Sequence, residues 1–205
     1  MRNKARKIEI KGRPGSRFSS EEGTIVKDWG GRLPVALIYP NSYYLGMSNL
    51  GIHAIYKLLN NNLRVVCERV FLDIKDKNAP AAIESGRPLS DFAVIAFSIS
   101  YELDYFNVVN ILKTSGIPLF AADRDERHPV VIAGGPCVTA NPMPLAPFFD
   151  CLCIGEAEPI LPAMLMVLFE GIGGRRDKLL QALAALPGIY VPLIPSSTPV
   201  IRQWT

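Results

Sequence analysis

Short apolar runs alternate with segments of helical spacing along most of this chain. Leu33 to Tyr39 (LPVALIY) is apolar at nearly every position, the pattern of a strand covered on both faces. Runs of the same kind lie at Arg64 to Phe71, Phe92 to Ser98 (FAVIAFS), Ile117 to Ala121, Pro129 to Ala133 (PVVIA) and Phe149 to Ile154. Between them, Leu50 to Leu59 carries its apolar residues at helical spacing, and Asn60 to Asn62 stop it. Ala79 to Glu84 reads as a short helix. Glu102 to Thr114 reads as a longer one, with Leu103, Phe106, Val109, Ile111 and Leu112 as its apolar side. Gly134 to Pro147 is a Gly/Pro-rich loop with room for one helical turn. Glu158 to Glu170 and Arg175 to Leu186 are the last helices, and Ile189 to Ile194 suits a terminal strand.

Short all-apolar strands alternating with helices predict an α/β fold: a doubly wound, mostly parallel sheet with helices on both faces. The right-handed crossover rule favours that winding. Ligands of such sheets sit beyond the carboxyl ends of the strands, at the switch point. The loops at Pro40 to Gly51, Ser98 to Asp104, Gly134 to Asn141 and Gly155 to Glu158 therefore carry the functional question.

The organisation follows from the same pattern. Residues 1–32 are polar and read as a basic arm, with a short strand or hairpin around Thr24 to Val26. Residues 33–170 form the α/β domain, and 171–205 a C-terminal helix and linker. The net charge of +3 is too small to imply a nucleic-acid partner, but residues 1–17 hold seven Lys/Arg and one Glu. A solvated arm and an RNA- or phosphate-contacting tail both fit that segment. No apolar run approaches the roughly 20 residues of a membrane helix, and no apolar stretch follows the basic N-terminus as in a secretory signal. The four cysteines, Cys67, Cys137, Cys151 and Cys153, contain no C-x-x-C pair and read as buried reduced thiols, which points to the cytoplasm.

The candidate binding residues lie in the four loops. After the first strand come Asn41, Ser42, Tyr43, Gly46 and Ser48, ahead of a helix that Ser48 or Asn49 could cap. No G-x-G-x-x-G or G-x-x-x-x-G-K-[ST] is present. A turn glycine and a helix-packing glycine explain Gly46 and Gly51 as well as an anion site does. Ser98 and Ser100 could donate to a ligand or cap the following helix. Glu102 and Asp104 could do acid–base work or complement a helix dipole. Gly134 and Gly135 suit close backbone approach to a flat ligand, or a tight turn. Gly155 and Glu156 precede the next helix, which Glu156 or Glu158 could cap. His53 and His128 are isolated, and no nucleophile–base pair emerges, so these residues suggest a binding domain more than an active site.

The segments LIYPNSYYLGMSNLGIHAIYKLLN, CERVF, FSISYELDYFNVVNIL, VVIAGGPCVTANPMPLAPFFD and IGEAEPIL together resemble the N-terminal, cobalamin-binding-like region of radical SAM proteins, often described as Fe–S oxidoreductases. The resemblance runs from about Pro34 to Glu170. It implies a flavodoxin-like domain followed by a radical SAM barrel, on the same or a separate chain, with which this module would dock. The [4Fe–4S] cluster and S-adenosylmethionine would belong to that barrel, because no C-x3-C-x2-C occurs here. Cobalamin is the cofactor implied for the domain itself. Its D-x-H-x-x-G loop is represented by Asn41 and Gly46 without the histidine, and its later signals by Ser98–Ser100 and Gly134–Gly135. The expected roles are thus docking on the barrel with corrinoid or substrate held at the strand ends, or a pure interaction domain. The latter would present an apolar surface around loop 136–147.

Overall fold

The computed structural model describes residues 21–73, 78–195 and 199–205. Six strands form one sheet: β1 (Leu33–Tyr39), β2 (Val65–Phe71), β3 (Val94–Ser98), β4 (Val130–Gly134), β5 (Cys151–Cys153) and β6 (Ile189–Tyr190). Their order is β2-β1-β3-β4-β5-β6. The first five are parallel and β6 is antiparallel to β5. This is the flavodoxin-like doubly wound order, and the winding reverses between β1 and β3.

Among the described residues, six α-helices flank the sheet: α1 (Tyr43–Met47), α2 (Leu50–Asn61), α3 (Tyr105–Thr114), α4 (Pro136–Ala140), α5 (Ala157–Gly171) and α6 (Arg176–Ala184). Successive strand residues point to opposite faces, so each strand feeds two cores. Val35, Leu37, Val94 and Ile132 pack with α2, α5 and α6. Ala36, Ile38, Ile95, Val131 and Leu152 pack on the other face, with Val108, Ile111 and Leu112 of α3.

Several expected elements take another form. Ile117 to Ala121 is no strand: the carbonyls of Pro118 and Leu119 accept from the Arg124 guanidinium, each at 3.0 Å, instead of joining the sheet. Ala79 to Glu84 is no helix. It runs along the outer edge of β2, where Ile83 N–H donates to the Arg69 carbonyl (2.8 Å) and the Glu84 carboxylate accepts from the Arg69 N–H (2.7 Å). An unpaired sheet edge is a liability, and this segment closes it. No strand forms at Thr24 to Val26, and the terminal strand shrinks to β6. Of the apolar side expected for Glu102 to Thr114, Leu103, in the turn before α3, and Phe106 face solvent (61% and 78% exposed) rather than the core. The basic segment 1–17 lies outside the described residues.

Two buried ionic clusters pin the periphery. Arg69 reaches Glu84 (2.7 Å), Glu21 and Thr24, and its guanidinium lies over the Tyr56 ring. It thereby ties the N-terminal segment to β2 and α2. On the far side, fully buried Asp150 accepts from Arg176 (2.7 Å), Arg124 (3.3 Å) and the Val131 N–H (2.6 Å). This accounts for the acid of the FFD segment: it anchors α6 and the loop before β4. Removing the anion from a buried cluster strands its cations. Asp150→Ala is expected to lose about 3–5 kcal/mol of unfolding free energy, seen as a lower urea midpoint; a loss under 1 kcal/mol would contradict this role.

Candidate functional site

On the α2/α5 face, side chains shrink toward the carboxyl ends of the strands. Val94 gives way to Ala96 and Ser98 on β3, and Val130 and Ile132 give way to Gly134 on β4. The sheet cannot fill the space between the helices there, and a cavity of about 150 Å³ remains. Its floor is Val35, Leu37, Ala96, Ser98, Gly134 and Cys153; Ile55 and Leu59 of α2 form one wall, and Ile160, Met164 and Leu165 of α5 the other. Gly135 and Gly155 lie at its strand-end rim.

Ser98 is the one hydroxyl in this lining. It is 5% exposed and its Oγ has no hydrogen-bond partner among the described residues. The groove thus offers apolar walls and a single free polar anchor. Cys153 lines it too; burial raises its thiol to about 12, so it stays neutral, with Sγ 4.0 Å from the Met164 sulfur.

A second set of residues closes the seam between the loops after β1 and β3. The buried Asp104 carboxylate accepts from the Asn41 (2.7 Å) and Asn107 (3.1 Å) side-chain amides, and Asn107 also donates to the Pro40 carbonyl (2.9 Å). Asn49 caps α2 through its oxygen (Ile52 N–H, 3.3 Å) and donates through its nitrogen to Ser100 Oγ (3.2 Å). Tyr39 ends β1 beside them. Burial, reinforced by the Asp104 charge, holds its phenol above the ordinary value, against hydrogen bonds with Asn49 and Ser100.

The structure brings only some of the expected residues together. Ser98, Gly134, Gly135 and Gly155 share the groove, while Asn41 and Ser100 belong to the seam. Ser42 caps α1 by accepting from the Leu45 N–H (3.4 Å), and Ser48 donates to the Tyr44 carbonyl (2.9 Å). Tyr43 turns to the β2 side, packing edge-on against Phe71 and donating to Glu21 (3.3 Å). Gly46 is a packing glycine, since a Cβ there would enter the Phe71 ring. Glu156 does not cap α5 with its side chain: its carboxylate accepts from the N–H (2.6 Å) and hydroxyl of Thr205, which hold it below its ordinary value.

The helix-capping reading of Ser98 and Ser100 fails, because neither α3 nor the turn before it has a side-chain cap. Gly135 sits at φ 113°, with its Cβ position 2.5 Å from the Ile99 carbonyl oxygen. A bulky residue there displaces the β3 loop, so it is no neutral probe of the groove. The seam roles of Tyr39 and Asn107 were missed by sequence reasoning. The i, i+3 spacing of Asp104 and Asn107 was the available signal for the latter.

Residues 51–192 match the family described as radical SAM proteins, N-terminal. The chain belongs to this family. Over 124 residues it is 32% identical to an uncharacterized protein of Methanocaldococcus jannaschii, a match covering 60% of this chain and 24% of that protein. The chain therefore spans about a quarter of the length of the curated relative it matches. No solved structure matches it.

Among the described residues of this radical SAM N-terminal domain, no group of three His, Cys, Asp or Glu side chains could hold a metal ion. His53 contacts the Met47 carbonyl (2.9 Å) and His128 pairs with Asp125 (2.9 Å), so neither faces the groove. No helix among the described residues is long and apolar enough to cross a membrane.

Because Tyr39 titrates above its unfolded value of about 10, its stabilising contribution is complete below that pH and is lost as pH rises through the folded value. Asp104→Asn is expected to move the Tyr39 phenol back toward 10. Phenolate absorbance during alkaline titration, with Tyr39→Phe as the blank, checks this; an unmoved Tyr39 component would exclude the coupling.

Proposed function

We propose that this domain is the ligand-holding and docking module of a radical SAM protein: it takes a flat apolar group into the groove and presents its strand ends to the rest of the protein. The carrying observation is the groove at the strand ends with its one free hydroxyl, Ser98. Apolar cavities of about this size accept a single aromatic ring. Gly134 and Gly135 remove side chains where such a ring would enter.

Corrinoid is the ligand we favour. The groove suits the flat base of its nucleotide tail, and Ser98 could hydrogen-bond a ring nitrogen. A bound corrinoid would supply cobalt chemistry to the neighbouring catalytic domain. Both histidines are engaged elsewhere, so Ser98 and the glycines, rather than an imidazole, would hold the ligand. The [4Fe–4S] cluster and S-adenosylmethionine belong, in this reading, to the catalytic domain.

Docking rests on the surface around the seam. Tyr44, Leu45 and Leu50 on one side, and Tyr101, Leu103 and Phe106 on the other, are between 49% and 85% exposed. The loops that carry them are joined by the Asn41–Asp104 and Asn49–Ser100 bonds. Grouped apolar exposure is a feature of interfaces and supports docking here. It lies beside the seam, whereas loop 136–147, expected to carry it, exposes Met143 as its one large apolar side chain.

Titration with hydroxocobalamin, followed by its visible spectrum, tests the ligand. Saturable micromolar binding is expected, with loss of at least tenfold in affinity for Ala96→Phe, which fills the groove from its floor. No binding at high micromolar corrinoid, or equal affinity in that variant, would refute the assignment.

A further inference from the structure

Residues 199–205 cross the end of β5 as an extended strap. Gln203 lies parallel to Gly155 and is bonded on both sides of it: its N–H donates to the Ile154 carbonyl (3.1 Å) and its carbonyl accepts from the Glu156 N–H (3.0 Å). Thr205 then hooks onto the Glu156 carboxylate.

Two glycines make the seat for this one residue. Gly155 has φ 125°, and a Cβ on it would run into the Gln203 backbone; Gly188 has φ 73°, and its Cβ position is 2.6 Å from Gln203 Cγ. A side chain at either position would push the strap away. Val200 packs against the core, and most of the other strap residues are exposed. The strap spans a hollow of about 310 Å³ against residues 184–189, and Ile201 and Trp204 are 72% and 61% exposed. Against the ordering cost of this segment stand two backbone bonds, the two Thr205 bonds to Glu156 and the packing of Val200.

Gly155 faces two ways. It lies under the strap and also lines the groove, two residues before the wall of α5 begins at Ala157. With the strap docked, both amide groups that flank Gly155 are fixed by Gln203. With it released, the segment keeps the bond from Gly155 N–H to Thr139 Oγ1 (3.2 Å) and the bond from Ile154 N–H to the Gly188 carbonyl (2.7 Å).

We propose that the strap is a latch on the groove: docked, it holds the Gly155–Ala157 wall closed, and its release opens the groove at the end of β5. The device needs no ligand in the groove, so it stands or falls apart from the corrinoid assignment. Whatever engages the strap elsewhere opens the groove, and by linkage whatever stabilises the closed wall protects the strap.

The cysteines report on the latch. Cys153 lines the groove, whereas Cys67 and Cys151 are fully buried outside it. Gln203→Pro removes the donor to Ile154 and cannot pair as a strand, while leaving the core untouched. In the wild type, the Glu156 and Gln203 amides are expected to be protected in hydrogen exchange and Cys153 to react slowly with monobromobimane. In Gln203→Pro, Glu156 protection should fall and Cys153 labelling should rise at least fivefold, with Cys67 and Cys151 unchanged. Unprotected amides in the wild type would overturn the proposal. So would an unchanged Cys153 rate once protection is lost, or equal acceleration at all three thiols.

Discussion

A parallel sheet sealed by helices on both faces leaves one place for chemistry, the ends of its strands. Most strand residues between those ends belong to one of two apolar cores, and a polar one there needs a partner, as Arg69 has. Function then depends on how side-chain volume is graded along the strands. Here β3 and β4 taper from Val94 and Ile132 to Ser98 and Gly134, and that taper, rather than any insertion, separates α2 from α5. The groove is a controlled packing deficit, placed where the fold opens.

The same seal explains the buried charges. Arg69 and Asp150 sit at opposite margins of the sheet, each held by oppositely charged partners within the core boundary. Buried ions are costly alone and specific in company. Arg69 fixes the N-terminal segment and the edge-covering loop onto β2. Asp150 fixes α6 and the approach to β4. Neither contacts the groove lining, so the margins are locked while the strand-end loops keep their own, smaller set of bonds.

Those bonds divide the strand ends into two working regions. Around β1 and β3, amide–carboxylate bonds hold the loops together and turn Tyr44, Tyr101 and Phe106 outward. Around β4 and β5, glycines bring backbone against backbone: Gly135 against Ile99, and Gly155 against Gln203. The first region is apolar and joined across its two loops, and is the docking surface proposed above. The second rests on main-chain contacts and is the wall of the proposed latch.

The apolar strand runs and the helical spacing between them determined the α/β class, the boundaries of β1 and the identity of the switch-point loops. These are local, periodic signals, and neighbouring residues suffice to read them. Those loops offered Ser98, Gly134, Gly135 and Gly155, which the structure gathers around one groove. What only the tertiary structure decided were contacts between distant segments. Glu84 went to the edge of β2 because Arg69 needed an anion, and Ile117 to Ala121 lost its strand because Arg124 claimed its carbonyls. Tyr43 turned to Phe71, while Glu156 met Thr205, 49 residues further on. A carboxylate or a glycine reads the same in sequence whichever partner it meets. Its role is set by which distant group the fold brings within reach, and that is information no local pattern contains.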